Sequence, residues 1–163
     1  MIIQSFLQYL RFEKRFSANT VMAYESDLNQ FFEFQKKLYE VEKPDQVSQS
    51  MVRSWMVSLM ESGVGARSIN RKITALKTFY KFLLRRDEVK LNPLLKVQSP
   101  KISKRLPVFV EESKMQLLFT DVNFGDGFDA IRDRLILELL YATGMRRAEL
   151  IGLTDERIDL YQC

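Results

Sequence analysis

The chain has 163 residues, 46% of them hydrophobic, enough for one large or two small globular domains. It has no histidine, which excludes a histidine-based catalytic triad. Its one cysteine, Cys163, cannot form an internal disulfide, and without histidine it cannot form a histidine–cysteine zinc cluster. No apolar stretch is long enough to span a membrane and no secretory signal pattern is present, so we expect a cytoplasmic protein without a membrane partner.

The net charge of +4 is unevenly distributed along the chain. Residues 67–105 contain twelve basic residues against two acidic ones, a net charge of +10. The remainder holds 13 basic and 19 acidic residues and therefore carries −6. Such segregation is typical of a surface that attracts a polyanion, but a solvated basic face without a partner is the simpler alternative.

Apolar residues recur at helical spacing along most of the chain, and this predicts an all-α fold. The first helix is predicted over residues 2–15. A second follows the capping residues Ser17 and Asn19, and a third covers residues 48–61 before Gly63 and Gly65. The fourth, over residues 67–86, has one narrow apolar stripe, formed by Ile69, Ile73, Leu76, Tyr80 and Leu83.

The face of the fourth predicted helix opposite that stripe carries cations and short polar side chains, and no acid precedes Asp87. Cations suit phosphates, while asparagine and threonine can bond phosphates or base edges. This face therefore indicates nucleic-acid binding, and its members are Asn70, Arg71, Thr74, Lys77, Thr78, Lys81 and Arg85.

A segment with two prolines, VQSPKISKRLP at residues 97–107, predicts a linker to a second helical domain. Helices are predicted there near residues 111–119, 130–143 and 147–153, and RIDLYQC resembles the start of a strand. The acidic pairs Asp126 with Asp129 and Asp155 with Glu156 are expected in exposed turns with structural roles. We expect neither a metal site nor a cofactor.

Residues 131–153, IRDRLILELLYATGMRRAELIGL, resemble the first conserved box of the tyrosine site-specific recombinases (phage integrase family), particularly the Xer-type enzymes. FLQYLRFEKRFSANTVMAYESDLNQFFEF and RSINRKITALKTFYKFLLRRDEVKLNP are similar to helices of the family's core-binding domain, and SPKISKRLPVFV to its linker. The resemblance implies a four-helix, SAM-like core-binding domain at 1–97, a linker at 98–107 and a truncated, helical N-terminal fragment of the catalytic domain at 108–163.

The resemblance also implies a chemistry, in which a tyrosine attacks the scissile phosphodiester and forms a 3′-phosphotyrosyl intermediate. Arg146 matches the first catalytic arginine, which stabilises charge on the phosphate oxygens, and Glu149 matches an acid that orients it. Spacing alone would favour a surface ion pair instead. The family's lysine, histidine–arginine box and tyrosine nucleophile lie beyond the last residue, and Tyr161 does not match the nucleophile, so we expect this chain alone to be inactive.

The implied partners are duplex DNA and, in a full-length parent, other recombinase protomers. Helix face and resemblance together predict ten DNA contacts: Thr20, Tyr24, Asn70, Arg71, Thr74, Lys77, Lys81, Lys101, Lys104 and Arg105. One alternative is a short helical protein-interaction module that does not bind DNA. A second is a self-sufficient enzyme with unfamiliar chemistry.

Overall fold

A computed structural model describes residues 2–102, 106 and 108–158, and every regular element within them is helical. The predicted all-α fold is therefore confirmed. The chain divides into two compact units, Met1–Lys104 and Arg105–Cys163. The finer boundaries at residues 97 and 107 remain a prediction. None of the described helices is both long enough and apolar enough to cross a membrane.

The first unit is the predicted four-helix domain. Its elements are α1 (Ile2–Gln8), a π-helix (Tyr9–Glu13), α2 (Ala18–Tyr39), a 3-10 helix (Pro44–Gln46), α3 (Gln49–Glu61) and α4 (Ala66–Arg85). Serine side chains cap two of these helices: Ser17 accepts from the Thr20 amide of α2 at 3.3 Å, and Ser48 accepts from the Met51 amide of α3 at 3.3 Å. Caps of this kind satisfy amides that would otherwise lack partners. The predicted cap Ser17 is confirmed, whereas Asn19, which was also predicted to precede the helix, lies inside α2.

The core of the first unit forms around α4. All five residues of its predicted apolar stripe are buried, with at most 1% of their surface exposed. Edge-on aromatic contacts join the helices: Phe6 of α1 meets Phe79 of α4 with centroids 5.2 Å apart, and Phe31 of α2 meets Trp55 of α3 at 5.0 Å. Because this side of α4 is enclosed by the other helices, its opposite side is left at the surface.

The first predicted helix differs from the structure, because the α-helical pattern ends at Gln8 and a π-helix continues it. The Lys14 amide donates to the carbonyl of Tyr9, five residues earlier, at 3.0 Å. This wider turn keeps Leu10 buried while the Tyr9 ring packs against Phe82 of α4, with centroids 4.9 Å apart. Apolar spacing alone does not reveal such a turn, since packing against α4 selects it.

The second unit contains α5 (Glu112–Asp121), α6 (Phe128–Thr143), α7 (Arg147–Ile151) and a 3-10 helix (Asp155–Arg157). Gly144 ends α6 with φ at 65°, a left-handed conformation that glycine adopts readily. The rings of Phe119 and Tyr141 join α5 to α6, with centroids 6.0 Å apart. Several apolar side chains of α6, including Ile131 and Leu135, remain exposed. The predicted strand falls largely on residues 159–163, outside the described residues.

Tyr80 provides a test of how the 3-10 helix before α3 is attached to α4. Its hydroxyl donates to the Pro44 carbonyl at 3.0 Å, and burial raises the pKa of Tyr80, so the group stays a protonated donor. We expect Tyr80→Phe to lower the free energy of unfolding in urea by about 1 kcal/mol. The matched control is Tyr39→Phe, whose hydroxyl bonds no other described residue. Equal effects of the two changes would contradict the assignment.

Candidate nucleic-acid interface

The exposed face of α4 brings most of the predicted contacts together. Its cations lie on the side opposite the buried stripe and are Arg67, Arg71, Lys77, Lys81 and Arg85. At 1.5 Å per residue, this row runs about 27 Å along the helix axis. Within the described part of the chain, no carboxylate lies within 4.0 Å of Arg67, Lys77, Lys81 or Arg85. These four cations are therefore available to an anionic partner.

A buried carboxylate lies at the α2–α4 contact. Asp27 of α2 has 1% of its side chain exposed. Its two carboxylate oxygens accept hydrogen bonds from Nη1 and Nη2 of Arg71, and Nη2 lies 3.0 Å from Oδ1. Lys72 donates to the same Oδ1 at 2.9 Å and to Oε1 of Gln30 at 2.6 Å. A buried charge is tolerated when it is paired and hydrogen-bonded, and Asp27 meets both conditions.

This cluster corrects the charge count made from the sequence. Within residues 67–105 only Asp87 and Glu88 oppose the cations, but Asp27 lies outside that window and pairs with two of them. Counting along the chain misses an acid that reaches across from another helix. Arg71, Lys72 and Asp27 together still carry one net positive charge, so the surface stays basic.

Arg71 remains usable for binding despite its pairing. Its side chain is 45% exposed, whereas that of Lys72 is 12% exposed. The bidentate bond to Asp27 fixes the plane of the guanidinium, and a fixed guanidinium loses less conformational entropy when it binds an anion. Lys72 is held inside the helix contact, where it stabilises the fold.

Tyr24 does not lie on the exposed face. It is buried at 9% exposure, and its ring packs edge-on against Phe16 with centroids 6.0 Å apart. A tyrosine at helical spacing fits either a core or a contact position, and here packing against the segment before α2 places it in the core. The structure therefore places the Tyr24 ring in the core, which argues against the predicted contact.

The hydroxyls of the two predicted threonine contacts already have local partners. The Thr20 hydroxyl lies 2.9 Å from that of Ser17, and the Thr74 hydroxyl donates to the Asn70 carbonyl at 2.8 Å. Each oxygen can still accept a bond, but a phosphate needs a donor. The Thr74 hydroxyl would have to rotate away from its present partner to donate to DNA, whereas in the Ser17–Thr20 contact either hydroxyl can be the donor.

Asn70 connects α4 to the segment around Pro100, near the end of the first unit. Its side-chain amide donates to the Pro100 carbonyl at 3.0 Å, while its own buried Oδ1 has no partner among the described residues. This bond leaves the next residue, Lys101, exposed at the surface. Lys104 and Arg105, also predicted contacts, lie outside the described residues.

The predicted catalytic pair forms a contact in the second unit. Nη1 of Arg146 lies 2.9 Å from Oε1 of Glu149, and the Arg146 backbone amide donates to Oε2 at 2.7 Å. The hydrogen bond from the Arg146 backbone amide lowers the pKa of Glu149 most, and the bond from the Arg146 guanidinium lowers it further. The Arg146 side chain is 84% exposed, so its remaining donors face solvent. This geometry suits both a surface ion pair and an oriented phosphate-binding arginine.

Known proteins are similar to this chain over nearly its whole length. Residues 3–87, just over half of the chain, match the family described as "Phage integrase, N-terminal SAM-like domain". The chain is 40% identical to the tyrosine recombinase XerC of Bacillus pumilus, 37% to that of Staphylococcus aureus and 35% to that of Chlorobaculum parvum. These matches cover 97–98% of this chain and 52–53% of each relative. The chain thus spans about half the length of the curated relatives that it matches.

A solved structure shares the fold. The integrase of transposon Tn1549, in complex with circular intermediate DNA, superposes with a TM-score of 0.67 at 21% sequence identity. The match covers 98% of this chain and 51% of the integrase chain.

The Asp27 cluster is expected to stabilise the first unit. Asp27→Asn keeps the side-chain shape but removes the charge that two cations share, leaving Lys72 confined without a counter-ion. We expect the free energy of unfolding to fall by about 1–3 kcal/mol, below the cost of breaking a fully buried pair because Arg71 stays half exposed. In the same urea titration, Glu42→Gln, which breaks the exposed Lys36–Glu42 pair, should leave the midpoint nearly unchanged. Similar midpoints for the two variants would refute the assignment.

The two bonds to Glu149 can be separated by titration. Arg146→Ala removes the guanidinium but keeps the backbone amide, so the pKa of Glu149 should rise only part of the way to its ordinary value. Because both bonds favour the charged carboxylate, they are lost as the pH falls through the lowered pKa. Carboxyl-carbon NMR of the wild type, Arg146→Ala and the control Arg147→Ala measures this. A complete return to the ordinary value would show that the backbone bond contributes nothing.

Proposed function

Because this chain belongs to the phage integrase family and is similar along nearly its whole length to tyrosine recombinases, we propose that it is the DNA-binding portion of a tyrosine site-specific recombinase. The observation that carries the proposal is the exposed row of cations on α4, four of which have no carboxylate partner among the described residues. A cationic face of this length suits the regularly spaced phosphates of duplex DNA.

The dimensions of α4 support a definite mode of binding. The helix is 20 residues long, about 30 Å, whereas the major groove of duplex DNA is about 12 Å wide. Its first half can therefore enter the groove, where Arg71 and Thr74 face base edges or phosphates, while Arg67 and Lys77 meet the backbone. Thr20, Lys81 and Lys101 complete the proposed contacts, together with Lys104 and Arg105 on sequence grounds alone.

Two predicted residues change role in this proposal. Tyr24 is omitted because its ring belongs to the core. Asn70 is assigned to hold the segment around Pro100 against α4, since its amide donates there. The DNA surface thus draws on α4, the start of α2 and the segment after the domain.

For a full-length recombinase containing this chain, we propose that Arg146 binds the non-bridging oxygens of the scissile phosphate and that Glu149 orients its guanidinium. Negative charge builds on those oxygens during attack, and a fixed bidentate donor stabilises it. Strand exchange would then proceed through a 3′-phosphotyrosyl intermediate, with other protomers of the recombinase bound to the same DNA.

One observation favours a different function. Apolar side chains are exposed on α6, including Phe128 and Ile131, and exposed apolar surface is typical of protein contacts. A helical module that binds another protein, and not DNA, would use that surface, and its affinity for the partner would not depend on the α4 cations.

DNA binding by this chain should be strongly salt-dependent. Fluorescence anisotropy with a labelled duplex should show affinity falling steeply from about 50 to about 200 mM salt, with a log–log slope near −0.9 for each neutralised phosphate. Arg67→Ala and Lys77→Ala should each reduce the magnitude of that slope by about 1. The matched control is Arg53→Ala, an exposed cation on α3. Absent binding, or binding insensitive to salt, would contradict the proposal and favour the protein-binding module.

A further inference from the structure

A second cationic feature lies where the π-helix meets the C-terminal half of α4. A shallow groove there is lined by Lys14, Lys77, Lys81 and Arg85 together with Tyr9, and no carboxylate lines it. Its volume is about 270 Å³. That is several times the roughly 30 Å³ that one water molecule occupies in the liquid. The groove therefore has room for an anionic group as well as the charges to bind one.

Tyr9 organises the groove. Its ring is fixed against Phe82 of α4, with centroids 4.9 Å apart, and its hydroxyl accepts a bond from Nη1 of Arg85 at 3.1 Å. Nζ of Lys14 lies 5.7 Å from the centre of the same ring, within range of a cation–π interaction. One aromatic side chain thus holds two cations from different elements at a single place.

The π-helix determines that Lys14 belongs to this group. The Lys14 amide donates to the carbonyl of Tyr9 in the wide turn. The backbone of Lys14 is therefore bonded to the same residue whose ring the Lys14 side chain faces. Four cations held close together repel one another, and a bound anion relieves that repulsion. A purely solvated basic face gains nothing from such an arrangement.

We propose that this groove binds a phosphodiester group of the DNA backbone beside the major groove that α4 enters. The proposal rests on the proposed function and extends the DNA surface to the first helix of the domain. Arg71 and Arg85 are 14 residues apart, about 21 Å along α4, which exceeds the width of about 12 Å of the major groove. When the first half of α4 lies in that groove, the second half with Lys14 lies over a flanking strand.

The test compares two charge-matched double variants of the whole chain by fluorescence anisotropy. Lys14→Gln with Arg85→Gln removes two cations of the groove, while Lys37→Gln with Arg53→Gln removes two exposed cations elsewhere. The groove variant should bind duplex DNA roughly tenfold more weakly, with a salt slope smaller in magnitude by about 1, and the control should match the wild type. Equal behaviour of the two variants overturns the proposal.

A second measurement keeps the result independent of folding defects. Neutral methylphosphonates replace the phosphates of the duplex one position at a time, and each duplex is titrated with the wild type and with the groove variant. At one position the substitution should weaken binding by the wild type but not weaken binding by the groove variant any further, because both changes remove the same contact. If every position adds its effect to that of the variant, no phosphate occupies the groove and the proposal is wrong.

The remaining arms separate the sources of failure. Inorganic phosphate, titrated against the wild type by NMR, should shift the signals of Lys14 and Arg85 only weakly, since one phosphate lacks the rest of the duplex. Saturation by inorganic phosphate at concentrations as low as the duplex requires would assign the groove to a free anion. Salt-dependent DNA binding that Arg67→Ala weakens and the groove variant does not would overturn the groove alone. If the wild type shows no salt-dependent binding at all, the proposed function itself fails.

Discussion

The burial of one apolar stripe on α4 determines how the rest of the first unit is arranged. Its five side chains are enclosed by the other helices, and burial of each such side chain contributes about 1.5–3 kcal/mol. A helix whose one side is fixed inside a core must present its other side to solvent. The cations of α4 are therefore held in a row by packing energy, at no cost in the entropy of the helix when a partner binds.

The sequence predicted the features that depend on apolar periodicity and on the capping residues at helix ends. The positions of α3 and α4, the cap at Ser17 and the buried stripe of α4 follow from spacing and side-chain type within a few turns. Features that depend on contacts between distant segments were missed. Asp27 pairs with cations 44 and 45 residues away, and at the π-helix Tyr9 and Leu10 each pack against other helices.

The candidate site shows the same division between local and tertiary information. The exposed face of α4 could be listed from the sequence, because exposure on a helix follows from periodicity once the buried side is known. Tyr24 could not be placed, since an aromatic residue at helical spacing serves equally as core or contact. The role of Asn70 could not be predicted, because its partner Pro100 is 30 residues away and sequence periodicity does not show that the two are in contact. For Arg146, spacing alone favours a surface ion pair and the resemblance implies a phosphate-binding arginine, while the observed geometry suits both.

The wide turn at Tyr9–Glu13 lets the first helix carry one additional residue without changing which of its sides faces the core. A π-turn is equivalent to an α-helix that has accommodated one additional residue, so loss of a single residue there would restore regular α-helical register. Tyr9 and the present Lys14 would then be four residues apart, a spacing that an α-helix places on one side. The side chains before and after the turn would therefore keep their relative orientation. In related chains, an alignment gap of one position in this segment would mark the absence of the wide turn, while the buried side of the helix stays the same.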